Sequence, residues 1–138
     1  MVEVFRRVAP VAEKSNVTLL LEPLNTRVDH PGHFVSTARD GVEIIKEVSS
    51  PAVRVLYDIY HEQIMAGDII HTFQKYVEYI GHVHIADNPG RHEPGMGELD
   101  YENILESIAD SEYDGYIGCE FTPTGDPEKA LEHVRSLL

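Results

Sequence analysis

The stretch VRVLYDIYHEQIMAGDIIHTFQKYVEYIGHVHIAD, residues 53–87, begins and ends on short apolar runs, VRVLYD and HVHIAD. Between them Ile64, Ile69, Ile70, Phe73, Val77 and Ile80 recur at a rough three-to-four spacing, which predicts one amphipathic helix. Strand, helix, strand in this order is the unit that joins two parallel strands through a right-handed crossover. Two further runs, VTLLLE (17–22) and GYIGCEF (115–121), also read as buried strands. Helical patterns precede each strand and follow the last one. Residues 2–15 form the first, with Pro10 expected to kink or restart it. HFVSTARDGVEIIKEVSS, DYENILESIADS and DPEKALEHVRSLL supply the others, the last opening on an Asp–Pro pair suited to an N-cap and first helical residue. The resulting α-β-α-β-α-β-α-β-α order predicts an α/β fold with a parallel sheet, in one domain over residues 1–138.

Composition sets limits on function. The 42% apolar content and 8 prolines in 138 residues describe a globular chain. A net charge of −13 argues against a nucleic-acid surface and against anionic membranes, since both demand clustered Lys and Arg. No apolar run approaches the roughly 18 residues of a membrane span, and the N-terminal stretch lacks the apolar core of a signal peptide. The one cysteine, Cys119, rules out an intramolecular disulfide and fits a reducing cytoplasm. Its parity in the strand, opposite to that of Glu120, predicts a buried side chain facing away from any site.

Each predicted strand delivers a potential ligand at or near its C-terminal end: Glu22, Asp58, His84 and Glu120, separated by 36, 26 and 36 positions. Parallel α/β sheets and barrels build their sites at that end. Three carboxylates and one imidazole form a hard donor set suited to Mn²⁺, Mg²⁺, Co²⁺ or Zn²⁺. His82 shares a strand face with His84 but lies one layer deeper, as a core or supporting histidine. Glutamates from the first and last strands could flank a chelated substrate. That arrangement suits removal of a proton beside a carbonyl and its return at the neighbouring carbon, by way of an enediolate. The competing reading of any one of these acids is a helix cap.

LLLEPLN, VLYDIYHEQIMAGD, GHVHIADNPGRHEPGMGELDY and YDGYIGCEFTP together resemble the hydroxypyruvate isomerase family, within the xylose-isomerase-like TIM-barrel superfamily. The resemblance runs from about residue 2 to the end, and ADNPGRHEPGMGE (86–98) is close to a family signature. It implies a (β/α)8 barrel of which this chain covers about four C-terminal units, a half barrel. It also implies that Glu22, Asp58, His84 and Glu120 hold a divalent metal, with Glu22 and Glu120 as the catalytic acid and base. By the same resemblance His61 and Arg91 bind substrate oxygens, and the substrate is hydroxypyruvate, converted to tartronate semialdehyde. His84 departs from the glutamine that these isomerases often carry at the third ligand and matches the sugar epimerases. A related 2-oxo acid or ketose is therefore the alternative substrate.

A full barrel needs about 250 residues. The expected partner is therefore an N-terminal half barrel or a second copy of this chain, because an open curved sheet exposes its edges and interior. The alternative function is a non-catalytic half-barrel subunit or fragment that retains metal binding. The zinc endonucleases of the superfamily fit poorly with the charge. Asn25, Arg27, Asp29 and His33 either line the pocket or form an ordinary polar loop. Glu98 is a candidate cap for the next helix, His92 is a substrate contact or an exposed side chain, and Tyr57, Tyr60 and Phe121 are expected to pack.

Overall fold

The computed structural model describes residues 1–137. Helix α1 (Val2–Ser15) leads into β1 (Leu19–Leu21), α2 (Ala38–Val48) and β2 (Val53–Asp58). Two helices, α3 (Ile59–Met65) and α4 (Ile69–Tyr76), and a 3-10 turn (Val77–Tyr79) connect β2 to β3 (Ile80–Ile85). Helix α5 (Tyr101–Ala109), β4 (Ile117–Cys119) and α6 (Pro127–Ser136) complete the chain. The four strands pair in parallel in the order β1-β2-β3-β4, each joined to the next by helix. This is half of a (β/α)8 barrel, with consecutive strands adjacent as in that fold.

Strand alternation divides the sheet into two faces. Leu21, Val55, Tyr57, Val83 and Ile85 point outward and are buried beneath the helices. At one end Val53 and Val55 pack with Ala9, Val42, Ile45 and Val48; at the other, Tyr57, Val83 and Ile85 pack with Phe73, Ile104, Leu105, Ile108 and Val134. Each such side chain contributes roughly 1.5–3 kcal/mol by leaving water. The register sets Leu20 beside Arg54, Leu56 beside His82, and Asp58 beside His84 and Gly118 on the inner face. Between β2 and β3 the register shifts at Val55/Leu56, opposite Gly81, where a Cβ would press on Leu20 and Arg54.

Four helix starts carry a side-chain cap. Thr37, Asp58, Asp100 and Asp126 accept N–H bonds from Asp40, His61, Asn103 and Glu128 respectively. Asp100 thus fills the place expected of Glu98, whose carboxylate instead accepts from the Gln63 and Asn88 side chains. The single helix expected between β2 and β3 is two, because Gly67 and Asp68 both take left-handed φ (68° and 52°) and stop propagation. Ile80 therefore starts a strand rather than ending a helix. Pro10 neither breaks nor restarts α1, which runs through it. Cys119 is exposed rather than buried, since β4 is a three-residue edge strand. Among the described residues no helix is long and apolar enough to cross a membrane.

Candidate metal centre

The C-terminal rim is built by chain direction. Asp58 ends β2, His84 is the penultimate residue of β3, and Glu22 and Glu120 follow β1 and β4 by one residue. One ligand atom from each of the four lies within 4.8 Å of every other. His84 Nδ1 stands at their centre, 3.2 Å from Glu120 Oε2 and 3.8 Å from both Glu22 Oε1 and Asp58 Oδ2. Side-chain exposure rises from 2% at Asp58 through 20% and 30% at His84 and Glu22 to 47% at Glu120, so the cluster is closed below and open above.

The donor set fits a small divalent cation. His84 Nδ1 is buried and, among the described residues, has no hydrogen-bond partner, although three carboxylates face it. Three carboxylates and an imidazole nitrogen turned toward one point form a donor set that a shared divalent cation would satisfy. Adjacent ligands of such an ion lie roughly 3 Å apart; the 3.2 Å between His84 Nδ1 and Glu120 Oε2 is near that, and the 3.8 Å spacings are wider. Gly118 makes room for this: a Cβ there would stand 2.9 Å from His84 Cδ2 and 2.8 Å from His82 Nε2.

Crowding of charge shows in the acidities. Burial pushes the Asp58 carboxyl up to about 7, and burial and then the Glu120 charge raise Glu22. Burial also acts to raise Glu120, but Arg91 and His84 outweigh it and hold that carboxyl below its ordinary value. His82 is lowered by burial and by its neighbour His84, the two rings meeting edge to face at 4.9 Å. Asp58 divides its oxygens: Oδ1 accepts the His61 N–H that starts α3, while Oδ2 faces His84. The cap reading of an acid at a strand end is met by Oδ1, and Oδ2 is left free to face the cluster.

Arg91 and His61 lie at the same rim. Arg91 Nη2 donates to Glu120 Oε2 at 2.5 Å and lies 3.7 Å from Asp58 Oδ2, with its guanidinium over the Tyr60 ring. His61 is buried, Nε2 3.9 Å from Asp58 Oδ2, and burial and then the Arg91 charge lower its pKa to about 4. Of the four residues in the loop after β1, Asn25 is buried against His61 and Asp29 accepts from the Asn25 amide and the Tyr60 hydroxyl. Arg27 turns away to the Ile64 carbonyl, and His33 is exposed. His92 is held by the Thr122 carbonyl at 2.8 Å.

Asp87 was not foreseen as a structural centre. Fully buried, its carboxylate accepts the backbone N–H groups of Asn88, Gly95, Gly97 and Leu99. A Cβ at Gly97 would strike Asn88 O and Asp87 Oδ1. The loop is also tied to the chain beyond β4, through Thr122 N–H to Arg91 O and through the Glu93 carboxylate to the Thr124 N–H and hydroxyl. The available signal was the run of glycines after Asp87, each with an N–H unhindered by a side chain.

A family model described as xylose isomerase-like TIM barrel matches residues 1–138. The chain belongs to that family. It is 38% identical to hydroxypyruvate isomerase of Escherichia coli (strain K12), over 95% of this chain and 50% of the relative. It is 41% identical to 2-oxo-tetronate isomerase of Cupriavidus necator, over 94% and 50%. The crystal structure of a Brucella melitensis protein named AP endonuclease, family 2, matches with TM-score 0.93 at 38% identity, covering 98% of this chain and 52% of that one. The chain thus spans about half the length of the curated relatives it matches, and this member of the xylose isomerase-like family presents the barrel half that carries the four-residue cluster.

Proposed function

We propose that this chain carries the reacting half of a metal-dependent isomerase that interconverts hydroxypyruvate and tartronate semialdehyde, or a related hydroxy-keto acid or sugar. The observation that carries this reading is the cluster itself, in which two glutamates from the outermost strands flank Asp58 and His84. The names of its relatives, hydroxypyruvate isomerase and 2-oxo-tetronate isomerase, support the substrate class. Mn²⁺, Mg²⁺, Co²⁺ or Zn²⁺ held by Glu22, Asp58, His84 and Glu120 would supply a Lewis acid to the substrate oxygens.

The protein groups account for the proton movements. One glutamate takes a proton from C3 of hydroxypyruvate, and the electrons form the enediolate. The C3 hydroxyl proton passes to the C2 oxygen, the other glutamate returns a proton at C2, and C3 is left as the aldehyde. His61 lies where it can hydrogen-bond a substrate oxygen, and Arg91 is the cation available to a substrate carboxylate. The net charge of −13 disfavours nucleic acid as the substrate, since phosphate binding needs clustered cations. The remaining barrel wall comes from an N-terminal half or from a second copy. A second reading, a metal-binding subunit without catalysis, draws on the openness of the inner face, where Leu20 is 38% exposed.

The test is hydroxypyruvate isomerisation by the assembled, metal-loaded protein, followed by NMR. Glu120→Gln is expected to lower kcat by about 10³-fold while leaving the fold intact. Turnover at the parent rate would sink the two-glutamate mechanism.

A further inference from the structure

His61 raises a question that four metal ligands leave open. Its Nε2 is buried beside Asp58 and has no hydrogen-bond partner among the described residues. If Nε2 presents a lone pair, it is a fifth metal ligand; if it presents N–H, it is a donor to an oxygen. The answer lies on the other side of the ring, at Nδ1.

Asn25 Oδ1 accepts the backbone N–H groups of Val28 and Asp29, both at 3.0 Å. Those two donors fix which end of the amide is oxygen. The amide nitrogen must then face His61 Nδ1 at 2.7 Å and Asp29 Oδ2 at 2.6 Å, one proton for each. The backbone N–H of Asn25 also points at Nδ1, at 3.3 Å. Two donors therefore converge on Nδ1. A proton there would oppose both, so neither the Nδ1–H tautomer nor the imidazolium fits the site.

We infer that Asn25 is a positioning residue that holds His61 as its Nε2–H tautomer, making the ring a hydrogen-bond donor to a substrate oxygen and not a metal ligand. The identity of that oxygen rests on the isomerase reading above; the tautomer does not. Asp29 supports the arrangement by taking the second amide proton, and the Tyr60 hydroxyl, 2.8 Å away, fixes Asp29 in turn. His30 meets the His61 ring edge-on at 5.4 Å, and Nε2 lies 3.9 Å from Asp58 Oδ2. The acceptor best matched to this N–H is the carbonyl oxygen on which negative charge develops.

The decisive variant exchanges the polarity of the pair: Asn25→Asp together with Asp29→Asn. Shape and hydrogen-bond count are nearly preserved, but the carboxylate at position 25 now accepts from Nδ1–H and from the amide at position 29. Long-range ¹H–¹⁵N correlation at pH 7.5 reads the tautomer directly. The parent is expected to show His61 protonated at Nε2, and the double variant protonated at Nδ1. With metal and hydroxypyruvate, the double variant is expected to lose about 100-fold in kcat with KM changed less than about threefold. A parent protonated at Nδ1 overturns the inference without any variant, as does a folded double variant that keeps Nε2–H. A parent with Nε2–H but no isomerase activity upholds the tautomer and overturns the functional reading instead.

Discussion

The two faces of the sheet are made by alternate residues of the same strands, yet they obey different rules. On the outer face Val55, Tyr57, Val83 and Ile85 are covered by helices and bring only one polar tip, the Tyr57 hydroxyl, which donates to the Ile69 carbonyl. On the inner face Arg54, His82, His84 and Asp58 lie beside Leu20 and Leu56, so polar and apolar groups share one surface. The outer face is complete within the chain and makes the fold. The inner face gathers the cluster at its C-terminal end but stays uncovered, with Glu120 exposed at the rim and Leu20 below it.

The comparison breaks most sharply at Val83, which has no exposed surface. Val83→Asp places an unpaired charge in the helix-covered core and is expected to cost at least about 4 kcal/mol, read as loss of the cooperative transition in urea. Next come the two buried carboxyls pushed up to about 7, Asp58 at the rim and Glu62 in the helical layer. Burial raises Glu62 from an ordinary 4.5, and the Ala38 N–H it accepts offsets only part of that. Its retained proton therefore stabilises the fold fully below about pH 4.5, and the contribution is lost as pH rises through 7, by about 3 kcal/mol. Glu62→Gln should flatten that part of the stability–pH curve; an unchanged slope would show that Glu62 ionises freely.

Asp58→Asn separates cap from cluster. The amide keeps an oxygen for the His61 N–H but loses the charge that burial disfavours, so the metal-free fold should gain stability near neutral pH while metal affinity falls about 100-fold in calorimetry. The smallest effect belongs to Leu20→Ser, on the open inner face, at under about 1 kcal/mol. A cost above about 2 kcal/mol would mean that this face is covered in solution.

The strands and the four rim residues were legible because both follow simple geometry: alternation along a strand and a functional group at its end. Asp126–Pro127 likewise announced the start of α6. Asn25 and Asp87 were not legible in the same way. Each is a buried polar residue in a loop, where no periodicity marks the inward side, and each acts on backbone N–H groups that the sequence does not display. Gly67 and Asp68 divided a pattern whose apolar spacing alone reads as continuous. Cys119 was misread because parity predicts a face, whereas burial depends on whether an edge strand has a neighbour.

The carboxylate of Asp87 has a kinetic meaning for the rim. Four N–H groups wound about one buried anion cannot let go singly at little cost, so the loop bearing Arg91 does not behave as a flap. Its guanidinium waits at its post before any substrate arrives, and the ordering of that side chain is settled when the chain folds.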